Sequence, residues 1–175
     1  MTAAYRIKQG LRAVFAFSQP VEISLAAEYL SPELLALFQQ MRRSEQLHSL
    51  NVLRDVLAQA ETSTPHDLAA AALLHDVGKS CYPMRVWQKT LAVLVRAFSP
   101  PLFERWSKGN PANLWNRPFV VYVEHPAWGA ELITPAGASE NTIWLVAHHQ
   151  EPAEQWENHP LAGLMTRLQQ ADNSN

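Results

Sequence analysis

The sequence predicts an all-α fold of six or seven helices around one core, and three observations support it. Apolar side chains recur at steps of three and four over most of the chain, which is the spacing of one helix face. A period of two is found only over residues 119–123, which could be a short strand or a buried helical turn. The pairs Ser31-Pro32 and Thr64-Pro65 stand where the helical spacing begins again, and a capping residue followed by proline is typical of a helix start.

Residues 1–40 are predicted to be an amino-terminal helical arm that is broken near Pro20 and packs on the domain formed by residues 41–175. A long helix is expected to begin at Pro32. One of its faces carries a stripe at steps of four and three residues, which consists of Leu34, Phe38, Met41, Glu45, His48 and Val52. Because such a stripe faces the core, it directs His48 and Glu45 inwards.

The later helices are placed by proline, serine and glycine positions. One begins at Pro65, carries Leu68, Ala72 and His75 on one face, and is expected to end at Gly78 as its C′ residue. The remaining predicted elements are a helix from Val86 to Phe98, an irregular aromatic loop from Phe103 to Arg117, a short helix from Pro126 to Ile133, a helix capped by Ser139 that ends at His149, and a last helix from Pro160 to about Asp172.

Composition favours a single globular domain, since 47% of the 175 residues are hydrophobic and 17% are charged. The formal net charge is -2 and no basic cluster is present, so long nucleic acid is not an expected partner. The most apolar run, residues 91–95, is far too short to span a membrane. Cys81 is the only cysteine, which excludes an internal disulfide. We therefore expect a cytoplasmic protein without membrane contact, whose oligomeric state the sequence leaves open.

The pair His75-Asp76 stands at the end of an alanine-rich apolar helix, where both side chains are costly to bury unless they are paired or bound to a metal. Adjacent residues point about 100° apart on a helix, so the pair could reach two metals, or one carboxylate could bridge both. A purely structural role for the pair is an equal alternative.

Three more ionisable residues stand on predicted inner faces. His125 directly precedes a proline at a predicted helix N-cap, where the positive helix end disfavours protonation and keeps the imidazole a competent ligand. His148 lies late in the next helix, and Asp172 occupies an apolar stripe near a helix C-terminus, where something cationic should compensate it. Taken singly, each has an ordinary alternative: a helix cap for His125, a solvated acid for Asp172, and a hydrogen-bonded core histidine for His48.

In this order these residues resemble the HD-domain superfamily of metal-dependent phosphohydrolases. Three segments, residues 45–50, 75–79 and 147–151, are similar to its local motifs, and the similarity covers roughly residues 41–175. The resemblance implies a helical bundle around a binuclear site, with Asp76 bridging two divalent transition metal ions. The implied metal ligands are His48, His75, Asp76, His125, His148 and Asp172. Spacing does not decide between His148 and His149; we favour His148 as the ligand and place His149 near the substrate.

The chemistry implied by the resemblance is phosphate ester hydrolysis. Two metal ions would lower the pKa of a bridging water and hold the ester for in-line attack. Asp76 and Lys79 would be the catalytic residues, with Lys79 also binding substrate by neutralising charge on the phosphoryl oxygens; helix capping by Lys79 is an equal alternative. Mixed imidazole and carboxylate ligands suit Fe or Mn, with Co, Ni and Zn also possible. Trp106 or Trp115 could stack a base, although a plain hydrophobic lid is favoured.

Departures from the family narrow the substrate. The double histidine resembles that of the cyclic-di-GMP phosphodiesterase branch called HD-GYP, but the Asp-Gly-x-Gly-Tyr-Pro run of that branch is replaced here by residues 150–155. Ser44 stands where a third metal would need a carboxylate. We therefore expect a phosphohydrolase of a small nucleotide or phosphorylated metabolite. The alternatives are an HD-type di-iron oxygenase and a non-catalytic signalling domain that binds metal and a nucleotide.

Overall fold

The computed structural model describes residues 20–59 and 64–175. This part of the chain folds into nine α-helices and two short 3-10 helices, with no strand. The all-α prediction is therefore confirmed, with more helices than the six or seven expected. The part of the predicted arm that precedes Pro20 lies outside the described residues.

The α-helices follow one another along the chain with short connections. They are α1 (Ile23–Ala27), α2 (Pro32–Gln40), α3 (Arg43–Ala58), α4 (His66–Leu74), α5 (Val86–Phe98), α6 (Pro100–Ser107), α7 (Arg117–Ile133), α8 (Glu140–His148) and α9 (Ala162–Ser174). The two 3-10 helices are Val77–Ser80 and Ala153–Trp156. No helix of the described ranges is long and apolar enough to cross a membrane.

Helix α4 is the centre of the core. Residues 68–74 of this helix are buried on every side, as expected for a helix that is apolar all round. Helices α3, α8 and α9 pack against it, and Phe38 of α2 and Ala26 of α1 belong to the same buried cluster. The carboxyl end of α4 therefore lies in the middle of the molecule, and His75 and Asp76 come directly after it.

The long helix predicted from Pro32 onwards is broken into α2 and α3. Met41 adopts an extended backbone, with φ -63° and ψ 152°. The break is stabilised by side chains: the Gln46 amide donates to the carbonyls of Phe38 and Gln39, and Glu45 Oε2 accepts from the Arg42 N–H. These bonds satisfy backbone groups that a helix end otherwise leaves unpaired. The chain can therefore leave the helix at Met41 without a proline or a glycine.

Pro126 lies inside α7 and does not begin a helix, so the predicted short helix from this residue is wrong. The run of residues 119–123 is helical and continues through Pro126 to Ile133. His125 is therefore a mid-helix residue, and the predicted effect of a helix N-terminus on its protonation does not apply. Proline has no N–H, so the carbonyl of Tyr122 cannot receive the usual helical bond from position 126.

Gly78 allows a close approach of backbones where we had expected a helix-ending C′ residue. It lies within the first 3-10 helix, and its φ is not positive. A Cβ atom built on it would stand 2.0 Å from the carbonyl oxygen of His125 and 2.7 Å from the backbone nitrogen of Gly129. The absent side chain thus lets the segment after Asp76 lie directly on α7.

The remaining predicted boundaries hold with small changes. Helix α5 spans Val86–Phe98 as predicted, but Pro100 begins α6, so only residues 108–116 of the expected aromatic loop are irregular. Ser139 caps α8 through a bond from the Thr142 N–H to its Oγ, at 3.1 Å. The last helix begins at Ala162, shortly after Pro160.

Candidate metal centre

Six ionisable side chains converge beside the carboxyl end of α4. They come from α3, the end of α4, α7, the end of α8 and α9, and they are His48, His75, Asp76, His125, His149 and Asp172. His75, Asp76, His125 and His149 are buried, whereas His48 and Asp172 are half-buried at the rim. The fold thus gathers residues that lie far apart in the sequence.

Asp76 is the centre of the cluster. Its Oδ1 lies 3.3 Å from Nε2 of His125 and 3.9 Å from Nε2 of His149. Its Oδ2 lies 3.7 Å from Nε2 of His75 and 2.6 Å from Nζ of Lys79. One carboxylate therefore faces imidazoles on two sides, with an ammonium group against one of its oxygens.

Asp172 is a second carboxylate at the rim. Its Oδ1 lies 2.9 Å from Nε2 of His48 and 3.5 Å from Nε2 of His75. The ligand atoms of His48, His75 and Asp76 lie within 4.8 Å of one another, and so do those of Asp76, His125 and His149. These two groups share Asp76, so the cluster can hold two metal ions joined by one carboxylate.

Three of the imidazoles are oriented in the same way by the backbone. Nδ1 of His75 donates to the Ala72 carbonyl at 3.0 Å, and Nδ1 of His125 donates to the Val121 carbonyl at 2.8 Å. In His149 the acceptor is the Val146 carbonyl, also at 2.8 Å. Because a carbonyl can only accept, a proton occupies each Nδ1, and the neutral tautomer points the lone pair of Nε2 towards the carboxylates.

Nε2 of His75 and Nε2 of His149 are buried and have no hydrogen-bond partner among the described residues. In the neutral tautomer both nitrogen atoms are hydrogen-bond acceptors, and both face the Asp76 carboxylate, which is also an acceptor. No hydrogen bond can form between two acceptors. Burial without a partner costs about 1–3 kcal/mol for each group. A cation between the lone pairs and the carboxylate removes this conflict, so these residues fit a divalent metal.

The pKa values of the cluster follow from burial and from the neighbouring charges. Burial lowers the pKa of His149 to about 3, with further lowering by His75 and His125, so this imidazole is neutral at pH 7. Burial also lowers the pKa of His125, and the nearby Asp76 carboxylate opposes this effect. Burial alone would raise the pKa of Asp76, but the Lys79 ammonium and His75 outweigh it and hold that pKa well below its usual range.

The pKa values of Asp172 and His75 shift in opposite directions. Burial opposes ionisation of Asp172, yet the hydrogen bond with His48 and the nearby His75 imidazole lower its pKa. Burial likewise opposes the charged form of His75, yet the Asp76 and Asp172 carboxylates raise its pKa. Both shifts arise because a positive charge on the imidazoles and a negative charge on the carboxylates stabilise each other.

His148, which we favoured as a ligand, lies outside the cluster, and His149 takes the inner position. Nδ1 of His148 is 3.0 Å from Oε1 of Glu151, and its ring packs against Trp144 and Trp156 at centroid distances of 5.0 and 4.6 Å. Its neighbour His149 is 4% exposed and packs on the rings of His75 and His125. Trp144 of α8 and Trp156 of the second 3-10 helix thus pack on His148 outside the cluster, and the spacing of the two histidines could not reveal which one faces inwards.

A cavity of about 740 Å³ opens beside the cluster, with His149 and Asp172 in its wall. Its wall also contains Arg96, Tyr122 and Gln150, none of which the sequence pattern had marked as functional. Two of them had a usable signal: Tyr122 lies three residues before His125 on the same helix, and Gln150 directly follows His149 within the motif-like segment 147–151.

The two tryptophans considered for base stacking lie away from this cavity wall. Trp106 packs on Phe119 at 4.9 Å between ring centroids, and Trp115 is 71% exposed beside Trp87. Trp106 is thus part of a hydrophobic cover over α7, and Trp115 is a surface residue.

Comparison with known proteins agrees with the geometry. The family profile of the HD domain matches residues 47–173, which is more than half of the chain and includes every residue of the cluster. No curated protein and no solved structure matches significantly. The predicted resemblance is confirmed, and the chain belongs to the HD-domain family, whose members include metal-dependent phosphohydrolases.

Proposed function

We propose that this protein is a metal-dependent phosphohydrolase that cleaves a small phosphate ester or nucleotide. The observation that carries the proposal is the sharing of buried Asp76 by two groups of ligand atoms, each with an imidazole Nε2 that lacks a partner. Such a pair of sites is the arrangement that two-metal hydrolysis of phosphate esters requires.

The two ions would be held by different sets of residues. His48, His75 and Asp76 would hold one ion, with Asp172 beside it, and Asp76, His125 and His149 would hold the other. When bound, two divalent ions supply Lewis acidity that acidifies water and neutralises phosphoryl oxygens. Imidazole and carboxylate donors suit Fe or Mn, and also Co, Ni or Zn.

The protein's own groups would position the ester. The ammonium of Lys79 lies 2.6 Å from Asp76, so it carries positive charge to the place where phosphoryl charge increases during the reaction. The Gln150 amide lines the cavity and donates to Nε2 of His125 at 3.4 Å, a long bond that leaves the amide free to turn to a phosphoryl oxygen. The apolar core behind α4 excludes water from the inner side of the cluster.

The decisive experiment measures metal content and phosphate release together. Protein prepared without a metal-affinity tag is analysed for bound metals and assayed on a panel of nucleotides and sugar phosphates. We expect about two transition metal ions per chain and hydrolysis of at least one phosphate ester. Asp76→Asn should lose both metals and activity, whereas His148→Ala, a substitution outside the cluster, should retain both.

Other outcomes would contradict the proposal in distinguishable ways. Protein that stays metal-free after anaerobic incubation with Fe(II) and Mn(II) would show that the cluster is not a metal site. Bound iron with substrate-dependent oxygen uptake and no phosphate release would identify an oxygenase. Bound metal with neither activity would leave a non-catalytic binding domain.

A further inference from the structure

The cavity beside the metal centre has walls of opposite charge. Asp172 and Glu151 line it on the side of the cluster, and Arg96 of α5 lines it elsewhere. Metal ions at the cluster would bind one phosphoryl group of a substrate. The guanidinium of Arg96 is then available for a different group of the same molecule.

Arg96 is the only cationic side chain in this cavity wall, and it forms no ion pair with an acid in the described part of the chain. Its Nη1 donates to the hydroxyl of Tyr122, and its Cζ lies 4.8 Å from the centroid of that ring. Contacts with a hydroxyl and a ring face orient the guanidinium without neutralising it, so its charge stays free for an anion.

Tyr122 connects this arginine to the metal centre. It lies three residues before His125, so the two side chains leave α7 about one turn apart on the same side. The ring of Phe103 packs edge-on against Tyr122 at 5.4 Å, which holds the tyrosine from behind. The distance from the metal centre to Arg96 is therefore set by a helix and by packed rings.

We propose that Arg96, positioned by Tyr122, binds a second anionic group of the substrate, so that the preferred substrate is a small phosphate ester with two separate anionic groups. This inference rests on the proposed function for the first phosphate. A guanidinium binds phosphate or carboxylate oxygens through two parallel N–H bonds, which explains an arginine at this position better than a lysine. A cavity of about 740 Å³ has the size of known sites for nucleotide-sized ligands.

The test compares ligands that differ only in the second anion. Binding of adenosine 5′-monophosphate, adenosine 5′-diphosphate and adenosine 3′,5′-bisphosphate, each as its non-hydrolysable phosphonate analogue, is measured by calorimetry on the full, metal-loaded chain, so that the ions for the first phosphoryl group stay in place and no turnover interferes. We expect the wild type to bind at least one of the two longer anions ten times more tightly than the monophosphate. Arg96→Gln should reduce this ratio to below three, and Arg96→Lys should restore it in part.

Arg105→Gln is the matched control, because Arg105 is an exposed arginine of α6 outside the cavity wall; it should keep the ratio of the wild type. A wild type that binds all three probes equally, or an Arg96→Gln variant that keeps the full ratio, would overturn the inference even if phosphate esters are hydrolysed. A ratio that depends on Arg96 in a protein without hydrolytic activity would uphold the second anion site and refute the hydrolase.

Discussion

Asp76 is a buried carboxylate whose near neighbours are nitrogen atoms of three histidines and one lysine. An isolated carboxylate would become protonated in such a buried place, because burial opposes its charge. Here the Lys79 ammonium at 2.6 Å keeps it ionised, so a charged carboxylate lies between the two groups of possible ligand atoms at neutral pH. The ion pair with Lys79 therefore keeps Asp76 charged among the three imidazoles.

Substituting His149 and His148 one at a time should show which of these adjacent histidines binds metal. We expect His149→Ala to bind at least one metal ion fewer per chain than the wild type, because its Nε2 faces Asp76. His148→Ala should keep the metal content of the wild type, since its ring lies between Glu151 and two tryptophans. Metal analysis of the purified variants measures this, and loss of metal from His148→Ala alone would reverse the assignment.

Gly78 should tolerate no side chain. We expect Gly78→Ala to lower the free energy of unfolding by about 3 kcal/mol or more, because the added Cβ meets backbone atoms of α7 that cannot move independently. Urea denaturation measures the change. Gly163→Ala is the matched control, since nothing lies within 4 Å of its added Cβ, and it should be neutral or stabilising by up to about 1 kcal/mol. Equal effects at the two positions would refute the close approach at Gly78.

At the scale of elements, α4 and α8 are joined by a hydrogen-bonded link at their amino ends. The Ser139 hydroxyl donates to Oδ1 of Asp67 at 2.6 Å, and the Asn141 amide donates to Oδ2 at 2.8 Å. Asp67 stands in the first turn of α4, where a carboxylate also interacts favourably with the helix dipole. Since His75, Asp76 and His149 directly follow the carboxyl ends of these two helices, the link helps to set the relative position of the three residues.

The link should make part of the stability depend on pH. The bonds from Ser139 and Asn141 lower the pKa of Asp67 below its ordinary value of 3.8. Its contribution is therefore fully present above about pH 5 and is lost as the pH falls through the lowered pKa of the folded state. We expect Asp67→Asn to cost about 1 kcal/mol at pH 7 and less at pH 3, measured by urea denaturation.

Glu157→Gln removes the same charge from an exposed position and serves as the control for this measurement. It should show little difference from the wild type at either pH. A gap between Asp67→Asn and the wild type that stays constant from pH 7 to pH 3 would show that the charge of Asp67 does not stabilise the link.

Helix type was predictable because apolar spacing is a local property, but the boundaries that orient the site depend on contacts. Ser139 and Pro32 begin helices as predicted, since capping needs only neighbouring residues. The break at Met41 depends on Gln46 reaching back to the end of α2, and proline at 126 is tolerated inside α7. Such interactions involve the folded tertiary structure, which the spacing of residues does not contain.

The same distinction applies to the site. The approximate set of ligands followed from a family resemblance, because motif residues keep their order along the chain. The inner position of His149 depends on how Trp144 and Trp156 pack around its neighbour, and the place of Arg96 depends on how α5 lies against α7. No sequence motif indicates the inner position of His149 or the place of Arg96.

At the scale of the whole molecule, metal binding and folding stability should be coupled. The cluster joins five helices or helix ends, so an ion bound there stabilises only the folded state. At a free metal concentration 100 times the Kd, the stabilisation is about 2.7 kcal/mol, which corresponds to a rise in Tm of roughly 5–10 °C. Thermal unfolding with and without Mn(II) measures it, and Asp76→Asn should show no such rise. A wild-type Tm that does not respond to any transition metal would contradict the coupling.

The contact between His48 and Asp172 joins positions 124 residues apart in the chain. Asp172 belongs to α9, so separation of that one helix from α3 would break this contact while the rest of the core stayed folded. Helices open individually at lower free energy than the whole domain unfolds. The rate at which an ion leaves the centre would then follow the local opening of its least stable helix, and hydrogen exchange of the α9 amides would report on how long the metal stays.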